Sequence, residues 1–292
     1  LPPASGSLGA ALRWGGALIL SSLVAGLATA PFGAAHFNTL SHYGLIANLA
    51  AVPVMGAVVV PGAVLALCLA PFGLSAIGFW IMSQGIAWIL TVAETVANWP
   101  GARGFVVAPD AWILPVLVAG GLILLLWQGR LRWVGLLPLC AALAAWPASE
   151  RPKVLISADG GLVGVMTEQG RALSRPSGKS FVAGIWLEND GDGATQQEAF
   201  DRWAGDPAGK LQQINALGHT FIHAIGKTGA KQLSKTCQPH HVIVLTVEAA
   251  PPDGDCLVLT PALLRKSGGL AFDAQGAITA AEDPQHPRLW SQ

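Results

Sequence analysis

The stretch HFNTLSHYGLIANLAAVPVMG, residues 36–56, decides how the first half of the chain is read. It opens on uncharged polar groups, His36 to Tyr43, and runs without a charged residue into an apolar segment that continues past Pro61 to Ala70. A soluble core strand ends after about eight residues. A run of this length is therefore read as a segment in lipid, where a crossing helix needs about 20 predominantly apolar residues. Working outward, five stretches meet or approach that length: Ala11 to Ala30, Ile46 to Ala70, Ser75 to Asn98, Ala111 to Trp127 and Leu131 to Trp146. Pro53, Gly56, Pro61 and Gly62 predict that the second is broken, kinked or partly re-entrant, because proline removes a backbone donor and crowds the preceding turn. Backbone freed in this way at membrane depth needs protein or a water-filled cavity over it.

Composition agrees with lipid for only part of the chain. Of 292 residues 52% are hydrophobic and 12% charged, against roughly 25% charged in an ordinary soluble domain. Residues 1–148 hold four of the 17 Lys and Arg (Arg13, Arg103, Arg130, Arg132) and two of the 17 acids (Glu94, Asp110), leaving 13 and 15 for residues 149–292. The expected fold class is a polytopic α-helical membrane protein, residues 1–148, with a C-terminal α+β soluble domain, residues 149–292. With about five crossings, Arg13 and the pair Arg130 and Arg132 fall on one side, and Lys and Arg in short loops mark the cytoplasmic side. The tail after Pro147 then lies outside the cytoplasm. The chain opens on Leu1 with no convincing small-residue cleavage site after its first apolar segment, so it reads as a piece of a longer chain rather than a secreted precursor.

In the tail, KVLISADGGLVGVMT has strand, turn, strand character. ATQQEAFDRWAG predicts a helix stopped by Gly205, HHVIVLTV a buried strand, and TPALLRKSG a short helix capped by Thr260 with Pro261 at its first position. Gly and Ala richness in the first half suits close helix packing in lipid.

Candidate sites follow from polar groups in apolar surroundings. Gln84, Ala87, Thr91, Glu94 and Asn98 fall at steps of three, four, three and four and share one helical face. An ionisable group in a span normally faces the bundle interior or water, so Gln84, Thr91, Glu94 and Asn98 are candidate channel lining. The plainer alternative is that Glu94, one turn from Asn98 and Trp99, reaches the interface. His36, Asn38, Ser41, His42 and Tyr43 form either an outer mouth or an interfacial loop, and Asn48, deeper, suits hydrogen bonding between helices.

His219 and His223 are four apart, but HTFIH lacks the glutamate of a metalloprotease helix, and neither they nor His240 and His241 complete a zinc set. The acidic run ENDGDG, Glu188 to Gly193, lacks the terminal glutamate of a calcium loop and reads as a tight turn. No metal or cofactor is expected. Cys68 and Cys140 read as small buried hydrophobes. An oxidising compartment would allow Cys237 and Cys256 to pair, and two independent thiols is the other reading. No Gly-rich phosphate loop, Ser/His/Asp pattern or CxxC pair is present, so an enzyme is not expected, and the tail, with a slight acid excess, shows no basic stripe of the kind that tracks a phosphate backbone.

His36-Phe37, Tyr43-Gly44-Leu45, Ala47-Asn48-Leu49 and Val52-Pro53, followed some forty residues on by Trp99-Pro100-Gly101-Ala102, make a long composite pattern. The pattern resembles the carboxy-terminal part of ComEC-type competence channels, polytopic inner-membrane proteins through which single-stranded DNA enters the cytoplasm in natural transformation. The likeness covers residues 10–148 and extends loosely into FVAGIWLENDGD. It implies single-stranded DNA and the bilayer as partners, with other competence proteins or a second copy as further ones. Many members carry a metallo-β-lactamase-like outer domain with an H-x-H-x-D-H zinc motif. That motif is absent here, so the tail answers at most to a degenerate form of that fold and no nuclease role is carried over. A small-solute or lipid permease and a membrane-anchored metal-dependent hydrolase are the alternatives.

Overall fold

The computed structural model describes residues 7–203, 206 and 208–282 and separates into two compact units between Val106 and Val107. In the first unit the long helix α1, Ser7–Phe37, ends where Asn38 adopts a left-handed conformation (φ 54°). Asparagine tolerates that geometry as a helix stop, and it turns the chain into strand β1, Thr39–Ser41. Helix α2, Gly44–Val54, then passes through a single π-helical turn, Met55–Val59, into α3, Val60–Leu69. The expected break in this segment is thus one widened turn between Pro53 and Pro61 inside a continuous helix. A π turn places one extra residue in the coil and so accommodates the missing proline donors without ending it.

Helix α4, Ser75–Ala97, returns along α2 and α3, and strand β2, Arg103–Phe105, pairs antiparallel with β1. The α3–α4 crossing is close because glycines line it. A Cβ on Gly62 would lie 2.8 Å from the Met82 backbone nitrogen, and one on Gly78 would overlap the backbone of Ala66. Trp88 Nε1 donates to the Ala50 carbonyl at 3.1 Å and ties α4 to α2.

The second unit starts with helix α5, Ile113–Leu126, and helix α6, Leu136–Ala145, which meet through Gly120 and Gly135; a Cβ on Gly120 would lie 2.7 Å from the Gly135 carbonyl oxygen. Among the described residues, four helical segments have the length and apolar content to cross a membrane, Arg13–Phe37, Gly44–Phe72, Ser75–Ala97 and Arg130–Ala148. The remaining expected span holds only the 14 residues of α5, about 21 Å of helix.

The tail is built on strands β3 (Val154–Ile156), β4 (Val163–Thr167) and β5 (Gly170–Leu173), helices α7 (Ser180–Asn189) and α8 (Gln196–Asp201), and strands β6 (Leu211–Ala216) and β7 (His219–Ala224). Helix α9 (Gly226–Gln232), strands β8 (His241–Leu245) and β9 (Leu257–Leu259), helix α10 (Pro261–Ser267) and strands β10 (Leu270–Phe272) and β11 (Ile278–Ala280) complete it. One sheet is antiparallel throughout, in the order β11-β10-β3-β4-β5; the other runs β6-β7-β8-β9, with β7, β8 and β9 mutually parallel. Alternate residues of each face a shared core, Val154, Ile156, Val163 and Val165 from the first and Phe221, Val242 and Val244 from the second. Phe221 meets Phe272 edge to face at 5.4 Å across it.

Leu162 and Leu173, together with α7, cover the outer face of the first sheet. Ile222, Ile243 and Leu245 pack outward on the second, against Leu233, Cys237 and Cys256. Thr195 caps α8 in a reciprocal capping box with Glu198, and Thr260 caps α10. The chain is thus a helical membrane protein with an α+β tail.

Candidate functional site

Between α1 and the β1–α2 stretch lies a groove of about 890 Å³, walled by Ser22, Thr29 and His36 on one side and Ser41, His42 and Asn48 on the other. Ser22 is fifteen residues before the end of α1, so the groove runs about 22 Å down the helix from its outer end. Among the described residues its lining holds no Lys, Arg, Asp or Glu. Three of the expected mouth residues, His36, Ser41 and His42, and the deeper Asn48 therefore share one surface.

Tyr43 and one edge of His42 are used differently. His42 Nδ1–H donates to the Gly101 carbonyl at 2.7 Å, its backbone N–H donates to the Ala102 carbonyl at 3.1 Å, and Tyr43 OH donates to the Pro100 carbonyl at 3.3 Å. The Tyr43 ring stands edge-on to Trp99 at 5.3 Å. A Cβ on Gly104 would press on His42 Nε2 at 2.6 Å, so glycine keeps that ring in place. The two separated parts of the sequence pattern, Tyr43-Gly44-Leu45 and Trp99-Pro100-Gly101-Ala102, meet in space and fix the outer rim of the groove. Asn38 is buried beside them, its carbonyl accepting from Val106 at 2.8 Å while its Nδ2 finds no partner among the described residues.

The polar face of α4 lies elsewhere. Gln84, Thr91, Glu94 and Asn98 are all exposed, whereas Gly78, Gly85 and Val96 occupy the packed side of the same helix. Thr91 Oγ1 donates to the Ala87 carbonyl at 2.9 Å and Asn98 Nδ2 to the Glu94 carbonyl at 2.9 Å, so these two side chains satisfy themselves on their own helix. Gln84 has only a 3.5 Å contact with Ser83 Oγ. The groove and this face do not share a residue.

Residues 2–131 match the family model described as Competence, Competence protein. Residues 2–131 are thus a competence-family segment. No curated protein and no solved structure matches the chain.

Everything named so far lies inside this competence-family segment; the tail lies beyond the match and stands on its own geometry. HTFIH is a strand, not a helix: His219 and His223 lie on β7, the first exposed and the second 1% exposed in the core. The strand wins because Phe221 and His223 alternate with Ile222 and Ala224 between two apolar faces. His223 Nε2–H donates to the Gly160 carbonyl at 2.9 Å, and its Nδ1 has no partner among the described residues. Burial drives its pKa down to about 4, outweighing the hydrogen bond to Gly160. His240 and His241 stack edge to face at 4.6 Å, and no group of three or more His, Cys, Asp or Glu among the described residues is placed to hold a metal.

The acidic run is occupied by arginines. Arg171, fully buried, is held bidentately by Asp190 at 2.5 and 3.0 Å and donates to the Pro152 carbonyl at 3.1 Å. Arg202 pairs with Asp192. Asp192 is pushed up by burial, but the hydrogen bonds from Arg202 and Ala194 outweigh this and leave it below its ordinary value. Asp159 behaves alike: burial raises it, while hydrogen bonds from Lys179, the Gly161 N–H and Ser157 bring it to about 2. The alternating acids of ENDGDG were the only sequence sign of these pairs, and nothing in them names Arg171 or Arg202 as partner. Cys237 and Cys256 form a disulfide, with Cα atoms 5.8 Å apart, whereas Cys68 and Cys140 are free and exposed. Their exposure follows from their place on helices that face lipid, so they are not buried within the bundle.

Proposed function

We propose that this chain is a non-enzymatic component of the inner-membrane passage that takes up single-stranded DNA in natural transformation, with the α1–α2 groove as part of the passage wall. The observation that carries the reading is a groove that mixes Leu23, Leu27 and Phe37 with His36, Ser41, His42 and Asn48 and holds no acidic residue, inside a competence-family segment. Acidic lining would repel a polyanion, whereas Ser41, His42 and Asn48, all exposed in the groove, offer polar groups with no acidic charge to oppose it. Glu94 lies off the groove, on the exposed face of α4. His36 and His42 stand at the mouth and Asn48 within.

The membrane domain in this reading extends over residues 1–148, and the tail, 149–292, is a degenerate metallo-β-lactamase-like domain outside the cytoplasm. The disulfide supports that side, since such bonds persist in oxidising compartments, and Arg13, Arg130 and Arg132 support it by retention inside.

The test is uptake of labelled DNA by cells whose only copy carries Asn48→Leu together with Thr29→Leu. These two groove positions are exposed and tolerate added apolar volume, so the protein accumulates normally while uptake falls at least about tenfold, equivalent to about 1.4 kcal/mol on the barrier. Normal uptake by that variant overturns the groove reading. Normal uptake without any copy, with loss of accumulation of a small solute instead, gives the chain to the permease alternative.

A further inference from the structure

The tail carries a solvent-facing surface that its own fold does not use. On α7, Phe181 is 79% exposed and Ile185, one turn on, is 40% exposed. Beside them runs an apolar groove of about 290 Å³ walled by Val182, Trp186, Leu155 and Thr279. Immediately before α7, Arg175 and Lys179 sit on a loop fixed from several sides. Gln196 Nε2 donates to the carbonyls of Arg175 and Gly178 at 3.1 and 2.7 Å, Arg175 donates to the Gly161 carbonyl at 3.3 Å, and Lys179 pairs with Asp159.

Position limits what can land there. The opposite end of α7 is the one fastened near the helical hairpin: the Asn189 carbonyl accepts from Ala108 at 2.8 Å, and Val107 bridges to Asp190. Lys179 lies ten residues back along α7, about 15 Å away. Strand β3 likewise leads from the end of α6 toward the Asp159–Gly161 turn that Lys179 and Arg175 touch. The surface is thus set back from the hairpin by the length of α7. An exposed ring next to cationic side chains on a pre-fixed loop matches the chemistry of single-stranded nucleic acid, in which bases stack on aromatic faces and phosphates pair with nearby cations.

We propose that the head of α7 captures single-stranded DNA, with a base stacked on Phe181 and adjacent phosphates on Arg175 and Lys179. Resting on the transport reading above, this surface would receive the strand before it reaches the membrane segment. Asp159 already balances one of the two cations, so the surface neutralises one to two phosphates. The dependence of log K on log salt therefore has a slope between about −0.7 and −1.4.

The experiment uses the full chain in nanodiscs of zwitterionic lipid with a fluorescent oligothymidylate. Phe181→Ala, at an exposed position, binds about tenfold more weakly, and the indole introduced by Phe181→Trp is quenched on binding. Arg175→Ala with Lys179→Ala flattens the salt slope. Because this double variant also loosens the loop, the exposed Phe181 variants serve as the independent check. Absence of binding by the unaltered chain, unchanged affinity in Phe181→Ala, or no added quenching in Phe181→Trp overturns the proposal. DNA uptake measured in parallel separates the two claims: uptake that needs the protein but is indifferent to Phe181 sinks only this surface, whereas uptake that does not need the protein sinks the transport reading.

Discussion

The α3–α4 crossing and the tail sandwich are both tightly packed, but they reach that state by opposite means. Helices in the first unit approach through missing side chains, Gly62, Gly78 and Gly85, because lipid offers no hydrophobic drive to bring them together and close backbone contact has to supply it. The sandwich instead fills its interior with Val154, Val163, Phe221 and Val244, taken out of water. Polar groups reverse the pattern. The membrane helices leave Gln84 and Glu94 outward, while the tail buries a charge pair, Arg171 with Asp190. What counts as interior depends on the solvent, and each substitution below separates the two regimes.

The largest effect falls on the membrane side. Gly78→Val places its side chain in the Ala66 backbone, and helices cannot shift apart without losing the whole crossing. We expect no monodisperse protein after detergent extraction, while Gly26→Ala, with open space around it, elutes like the unaltered chain. Equal behaviour of the two breaks the account of the crossing.

Next is the buried pair. Arg171→Met leaves Asp190 charged and uncompensated, costing about 3–5 kcal/mol. Adding Asp190→Leu recovers most of that loss, because the desolvated charge is gone. Hydrogen exchange of β4 and β5 in the full chain reads both. A double variant no more stable than Arg171→Met shows that the pair does more than neutralise itself.

His223 gives a smaller, pH-dependent effect. Its folded pKa, about 4, lies below the ordinary 6.5, so the unfolded chain binds the extra proton and stability falls as pH drops from 6.5 toward 4. The full loss is about 3 kcal/mol by linkage. His223→Gln keeps a donor for the Gly160 carbonyl and removes the titration. Tail unfolding followed between pH 7 and pH 4 should therefore flatten in that variant, and a persisting slope of the same size assigns the effect elsewhere.

These tests also mark what the residues alone disclosed. The apolar spans, the β3–β4 turn, β8 and the Thr260 cap were legible because each is written in consecutive residues. The π turn was legible only as a disturbance, since two prolines announce lost donors without saying how the coil absorbs them. Register, the pairing of the two sheets and the arginine partners of the acidic run were not legible: Arg171 and Asp190 stand nineteen residues apart, and only the placement of β5 beside α7 joins them. The groove sits between these cases. His36, His42 and Asn48 stood out as polar groups in an apolar run, but the opposing wall, Ser22 and Thr29 on α1, was hidden among ordinary small residues.

The smallest stability effect is expected at Gln84, and it sharpens the contrast most. On the sandwich surface an exposed glutamine faces water and its loss changes little. In lipid the same residue lacks partners, so replacing it by leucine should stabilise the isolated helix bundle slightly. Gln84 has only a 3.5 Å contact with Ser83, and a hydrogen bond of that length contributes little. Gln84→Leu therefore shifts detergent stability by less than about 1 kcal/mol whichever medium it meets. Uptake decides between them. If the α4 face borders the aqueous passage, the leucine narrows its wetted surface and labelled-DNA entry drops while protein level holds. If the face lies against lipid, entry is unchanged, and Gln84, Thr91, Glu94 and Asn98 leave the passage to the α1–α2 groove alone.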